Sequence, residues 1–428
     1  MPESFLAARY MTRFQCTGSA CEDTCCHVAD RAVALSQADY RRLESAMLDG
    51  DDRETFARAF RPTAERRSEA FAVIRPRDDG ACVMLDADRL CAVQRRFGEA
   101  LLPDACSAYP RAVAQLGEQL ELTGRLSCPE VARLCLLAGD AVEPVPIARE
   151  AVGRGPIART LEPPAEEDPW VELFEPVRQV LVGLSGLERF PVASRQFFIG
   201  ALGERVGSFL HRGAAPFEPP RIVAELREMS RAETQRALHA QLTAAPPRDE
   251  PALAAVFELV RARLAQPVAP AFRRVVAAAA GASSVEDPLA PLDALGPAAA
   301  AEAHARRRAD VSHELNARLE RWFGNYCRDF WIHDWYLASP SILEHALGLG
   351  LRLALLRFLL LAQPALAAAG ALGEEAARGA AYDRVAVEVF YAVTRAFEHD
   401  EPVRASLGRA LAAHGPATLD RLQALLAV

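Results

Sequence analysis

Residues 16–26 read CTGSACEDTCC, and the meaning given to these eleven residues decides how the rest of the chain divides. Cys16, Cys21, Cys25 and Cys26 are interleaved with small and acidic turn-formers, so one loop can fold around a metal. Thiolates are soft donors, and such a loop selects zinc, copper(I) or iron–sulfur over magnesium or calcium. Free cysteines are often small buried hydrophobes, but four in so polar a loop do not make a packed core.

Working outward, nine of the ten cysteines lie between Cys16 and Cys135, and only Cys327 lies beyond. A 428-residue chain that is 51% hydrophobic can bury a large core without cysteine staples. The N-terminal MPESFLAARYMTRF lacks a basic stretch followed by an apolar one, so no secretory signal is read. Phe358–Leu372, the most apolar run, is too short to span a membrane and contains Pro364. A cytoplasmic location is expected, and there clustered cysteines bind metal or do redox work more often than they form disulfides.

Cys82, Cys91, Cys106 and Cys128 extend the first cluster. Cys91 opens the helical CAVQRRFGEALL, and Cys128 precedes Pro129, which suits an N-cap with proline at the first helical position. The partial positive charge of a helix N-terminus favours the thiolate. Taken together, eight cysteines suffice for one four-iron cluster with supporting thiols, or for two metal sites. Cys135, in the apolar VARLCLLAG, and Cys327, among aromatics, read as core residues. Paired CxxC zinc knuckles, the ferredoxin spacings and the CxxxCxxC triad are all missing, so spacing leaves zinc and iron–sulfur both open. Cys25 and Cys26, being adjacent, serve different metal atoms or only one of them ligates.

The chain is predicted to be mainly α, a helical multidomain protein with a small mixed α+β cysteine-rich N-terminal domain. The expected segments are a metal or iron–sulfur domain at 1–142, a linker at 143–169, a helical middle at 170–280, a linker at 281–297 and a C-terminal helical bundle at 298–428. Apolar periodicity predicts helices over Trp170–Leu184, Ile222–Leu242, Ala298–Phe330, Pro340–Leu361, Tyr382–His399 and Thr418–Val428. Ser339 and Pro340 suit an N-cap and first helical position, and Ser341 with Glu344 has capping-box spacing. Strand signals are confined to the cysteine-rich part. FAVIR at 71–75 and CVML at 82–85 flank a turn at Asp78-Asp79-Gly80, and a second hairpin is expected at Gly117.

The net charge is −8 and all 49 basic residues are arginine. The acidic balance disfavours nucleic-acid binding, and the absence of lysine excludes a P-loop, a Schiff base or a lysine general base.

FQCTGSACEDTCC (14–26), CVMLDADRLCAVQRRFGEALLPDACSAYPR (82–111) and LSCPEVARL (126–134) resemble the flagellin lysine N-methylases. The N-terminal region is also similar to the YkgJ-type cysteine-cluster domain, a zinc- or iron-chelating module. LERWFGNYCRDF (319–330) and TRAFEHD (394–400) resemble later parts of the same family. The resemblance implies methyl transfer from S-adenosylmethionine to lysine ε-amines of flagellin, with a four-iron cluster as cofactor. The family's cysteines carry over onto Cys16, Cys21, Cys25, Cys26, Cys82, Cys91, Cys106 and Cys128. Val83 departs from the family's usual proline, which is expected to alter the local turn and leave the ligand intact.

No acidic GxGxG loop of the Rossmann type is present for the co-substrate. An amine must lose its proton before it attacks a methyl sulfonium. Tyr109, Arg111, Glu398 and His399 are the candidates to assist, each against an ordinary alternative: aromatic packing, a solvated charge, and a helix C-terminal cap. His27, beside Cys26, is a further candidate ligand with solvent exposure as its alternative. The competing function is a zinc- or iron-chelating or redox module without transferase activity, its helical half a scaffold for a partner. Length favours the enzyme, because a chelating module needs only the first 140 or so residues.

Overall fold

Two hydrophobic cores of unequal size organise the computed structural model. It describes residues 4–27, 32–48, 50–152, 157–161, 169–207, 218–244, 249–398, 408, 411 and 415–428. The protein is mainly α-helical, with small sheets near its N-terminus.

Strands β1 (Ser4–Ala8), β5 (Arg111–Leu116), β6 (Gln119–Gly124), β7 (Pro144–Pro146) and β8 (Arg159–Leu161) form one sheet in the order β7-β1-β6-β5-β8. β5 and β6 are the hairpin expected at Gly117, whose φ of +56° explains the glycine. β1 runs parallel to β6 and β8 parallel to β5. The expected linker 143–169 thus supplies both edge strands of this sheet. Strands β2 (Val33–Leu35), β3 (Phe60–Arg67) and β4 (Ala70–Ile74) form a separate antiparallel sheet in the order β2-β4-β3.

The smaller core gathers Leu35, Leu43, Phe56, Phe60, Ile74, Met84 and Leu102 around the three-stranded sheet. The larger core runs from Ala7 to Val428 and takes in β1, β6 and the helix Pro129–Leu137. Packing therefore joins both ends of the expected 1–142 segment to the helical body and leaves its middle with a core of its own. Two polar anchors fix that join. Tyr10 Oη donates to Asp329 at 2.7 Å, and Asn325 Nδ2 donates to the carbonyls of Cys135, Leu136 and Ala138, capping the helix Pro129–Leu137. Cys135 and Cys327 are both fully buried in this larger core.

The body centres on the helix Ile342–Leu361, apolar on almost every face and buried accordingly. Helix Val192–Val206 crosses it closely, because a Cβ on Gly203 would stand 2.5 Å from the Leu343 amide nitrogen. Ser341 caps the central helix, its Oγ accepting from the Glu344 amide at 3.1 Å. Ser339, the other expected cap, instead closes the short turn Tyr336–Ala338 and its Oγ lies 2.9 Å from His345 Nδ1.

Two expected helices are broken by serine caps that periodicity does not register. Ile222–Leu242 is split into Pro219–Met229 and Ala232–Ala244 at Ser230, and Ala298–Phe330 into Pro297–Ala309 and His313–His333 at Ser312. Inside the second expected linker, Leu289 and Leu292 are buried around a short helix, Ala290–Leu295. No single helix among the described residues is long and apolar enough to cross a membrane. The pair Ile342–Leu361 and Pro364–Gly370 meets that criterion only jointly, across a 60° bend.

Candidate metal centre

The cysteine loop is built by short local bonds. Gly18, at φ +58°, opens a 3-10 turn over Gly18–Ala20, and the Cys21 amide returns to the Gly18 carbonyl at 3.1 Å. Thr24 Oγ1 accepts from the Cys26 amide at 3.2 Å. The Cys26 carbonyl then accepts from the Cys82 amide at 2.6 Å, while single β-bridges join His27 to Ala81 and Pro76 to Cys82. These contacts set Cys26 beside Cys82.

CVML, expected as a strand, is a turn. The Leu85 amide bonds the Cys82 carbonyl at 3.0 Å, which ends the extended run after one bridge on the Asp78-Asp79-Gly80 turn. Asp86 Oδ1 accepts from the amides of Asp88 and Leu90, folding the chain back so that Cys91 bridges Leu85. Cys91 caps the helix Ala92–Phe97, and Cys128 caps Pro129–Leu137 with proline at the first position, as the sequence predicts.

Five cysteines, Cys25, Cys26, Cys82, Cys91 and Cys106, line one cavity of about 620 Å³. Its walls are otherwise apolar, with Val33, Ile74, Met84 and Leu102, apart from His27, Gln94, Tyr109 and Arg395. Cys26 shares its thiol proton among Cys25, Cys82 and Cys91, which drives its own pKa up and lowers theirs. Cys91 falls to about 6, mainly through Cys26, with the Val93 and Gln94 amides of the helix start contributing. Cys25 falls to about 7 through Cys26 and the Arg395 charge. Burial raises Cys106. At Cys128 burial also wins over the Glu130 and Val131 amides and lifts the thiol to about 11, so the helix-start effect is overridden there.

The other expected ligands, Cys16, Cys21 and Cys128, do not line the cavity. Cys16 is exposed, Cys21 donates to the Asp23 carbonyl at 2.9 Å, and Cys128 interacts electrostatically with Cys21 and Cys25. Among the described residues, no three or more His, Cys, Asp or Glu side chains are arranged as a ready clasp for an ion. The thiols bond one another instead, in a soft-donor group in which Cys25, Cys82 and Cys91 have lowered pKa values.

Of the other candidates, Tyr109 lines the cavity, its hydroxyl 3.0 Å from Ser127 Oγ. Burial lifts it to about 12, so it stays protonated at neutral pH. Arg111 lies over the Phe14 ring at 5.6 Å, away from the cavity lining. Glu398 accepts from Tyr326 Oη at 3.3 Å, and burial raises its pKa. His399 lies outside the described residues. His27 is half-buried at the cavity with its Nδ1 unbonded.

Arg395 was not singled out from the sequence, although TRAFEHD contains it. The available signal is a lone charge in the apolar run VFYAVTRAF (389–397), every side chain of which is buried. A second cavity, of about 730 Å³, lies in the helical body beside Asp334, Glu344, His345 and Arg352.

The lysine-N-methylase of Salmonella typhimurium is 33% identical to this chain over 134 residues, which are 31% of this chain and 32% of that protein. The lysine-N-methylase of Salmonella choleraesuis gives 32% identity over the same extent. The flagellar biosynthetic protein FliU of Salmonella muenchen is 32% identical over 134 residues, 77% of its length. The match thus spans about a third of the curated methylases and most of FliU. No protein-family model and no solved structure matches the chain. By its likeness to these proteins, the chain belongs to the flagellin lysine N-methylase family.

Proposed function

We propose that the protein is a protein-lysine N-methyltransferase that moves a methyl group from S-adenosylmethionine to lysine ε-amines of flagellin, with a cysteine-held iron–sulfur centre. The observation that carries this reading is the cavity of about 620 Å³ in which five cysteines meet, beside the buried Arg395. Relatives named lysine-N-methylase and FliU supply the reaction class.

Cys25, Cys26, Cys82 and Cys91 are the residues that would hold the centre, with Cys106 in reserve at the cavity wall. The donor set fits in kind, since all four are soft thiols lining one cavity. A bound iron–sulfur centre supplies a Lewis-acidic iron and one-electron chemistry. Apolar side chains make up much of the remaining wall, and the Tyr109 hydroxyl, protonated at neutral pH, is placed there to orient a partner by hydrogen bonding. In the net reaction the methyl C–S bond breaks, an N–C bond forms, and the amine releases one proton as S-adenosylhomocysteine leaves.

The chain contains no lysine, so every methylated lysine found after reaction belongs to the added substrate. Anaerobically purified protein, given S-adenosylmethionine and flagellin, should add mass to flagellin lysines in methyl steps. Absence of any mass gain with the centre intact would contradict the proposal.

A further inference from the structure

The helix Glu375–Phe397 ends in a buried, apolar face, yet Arg395 on it is only 5% exposed. A guanidinium so placed persists only when it is fully paired. Its Nη1 donates to Asp23 Oδ2 at 2.6 Å and to the Thr24 carbonyl at 3.1 Å. The Tyr109 hydroxyl is a third partner and is itself bonded to Ser127. Every one of these partners adjoins a cysteine. Asp23 and Thr24 lead into Cys25, Tyr109 follows Cys106 by one turn, and Ser127 precedes Cys128.

We infer that Arg395 is a positioning residue for the thiol centre, clamping the cysteine loop to Tyr109 and placing a fixed positive charge beside Cys25. This rests on the reading of the cavity as a metal centre. It also gives the TRAFEHD segment a role, since the helical body reaches the cysteine unit through this side chain. Arginine suits the position, because a planar fork serves several acceptors in fixed directions where an ammonium cannot.

The test uses the full chain, purified anaerobically as wild type, R395Q, R395K and D23N, and reads iron, acid-labile sulfide and midpoint potential. R395Q should hold iron at least ~10-fold more weakly against a chelator, as losses in a ligand's supporting shell do. The centre it retains should titrate at a more negative potential, because the positive charge that favours the reduced form is gone. R395K keeps that charge and should keep the potential, whereas D23N removes the paired negative charge and should move it positive, both binding iron more weakly. Wild-type iron affinity and potential in R395Q would overturn the inference. If R395Q does not fold, R395K decides the same point through iron affinity.

Wild type free of iron and sulfide would instead contradict the metal-centre reading. Hydrogen exchange of the metal-free chain then decides on the clamp alone. Amides of residues 21–27 should exchange ~10-fold faster in R395Q, the loss expected for one charge-assisted hydrogen bond, and an unchanged rate would overturn it.

Discussion

The cysteine unit and the helical body are held together by different physics. The body buries Trp322, Phe330, Leu355 and Phe390 completely or almost so, around a helix that is apolar on almost every side. The cysteine unit has the short core of Leu35–Leu102, with many half-exposed side chains and a wall of thiols where more apolar packing would otherwise stand. A small core alone gives a marginal unit. The contrast indicates that the body is stable through burial, whereas the thiol unit relies on its contacts to the body and, on the proposed reading, on a bound centre.

The largest effect should come from the body. Phe390→Ala removes a fully buried ring that packs against Phe323 and Tyr326, and should cost about 3–5 kcal/mol in denaturant unfolding. A cost below about 1 kcal/mol would show that this core is looser than described. Next, the thiol unit should respond to its ligand while the body does not. With metal present at about a hundred times its dissociation constant, the unit should gain about 2.7 kcal/mol. Chelation should therefore raise hydrogen exchange in residues 33–106 and leave 342–361 unchanged. Equal responses in both regions would dissolve the comparison.

Gly203→Ala should cost about 1–3 kcal/mol, because the added methyl meets backbone rather than a movable side chain. Acid should also act on the body. His304 and His345 are lowered to about 4, chiefly by burial, against an unfolded value of about 6.5. Below pH 6.5 or so the unfolded chain takes up protons that the folded body refuses. Their stabilising contribution is thus complete above that pH and is lost as pH falls toward 4. His304→Gln should flatten the acid limb of a pH–stability curve, and an unaltered slope would count against it. The smallest effect is expected at the exposed Arg261–Asp293 pair, where Arg261→Ala should change stability by less than about 1 kcal/mol.

Legibility in the sequence follows the same divide. Long apolar periodicity gave the helix Pro169–Ser185 and the central helix to within a few residues, since burial on one or all faces is written directly into hydrophobic spacing. It failed at Ser230, which closes one helix, and at Ser312, whose Oγ accepts from the Leu315 amide and starts the next, both inside an uninterrupted apolar pattern. In the cysteine unit the helix caps at Cys91 and Cys128 were readable from their neighbours. The turn at Cys82–Leu85 was not, because it depends on Asp86 and on the Cys82 amide's bond to the distant Cys26 carbonyl. Convergence of Cys25, Cys26, Cys82, Cys91 and Cys106 on one cavity could be anticipated from residue type. Arg395 could not, because Asp23 and Thr24 lie about 370 residues away.

Metal and acid-labile sulfide analysis of the anaerobically purified full chain, paired with its absorption spectrum, addresses the central claim most directly. The expected result is a brown protein carrying iron and sulfide, both lost when Cys25 and Cys26 are replaced by alanine together. A colourless preparation with stoichiometric zinc, or one with no bound metal, would contradict it.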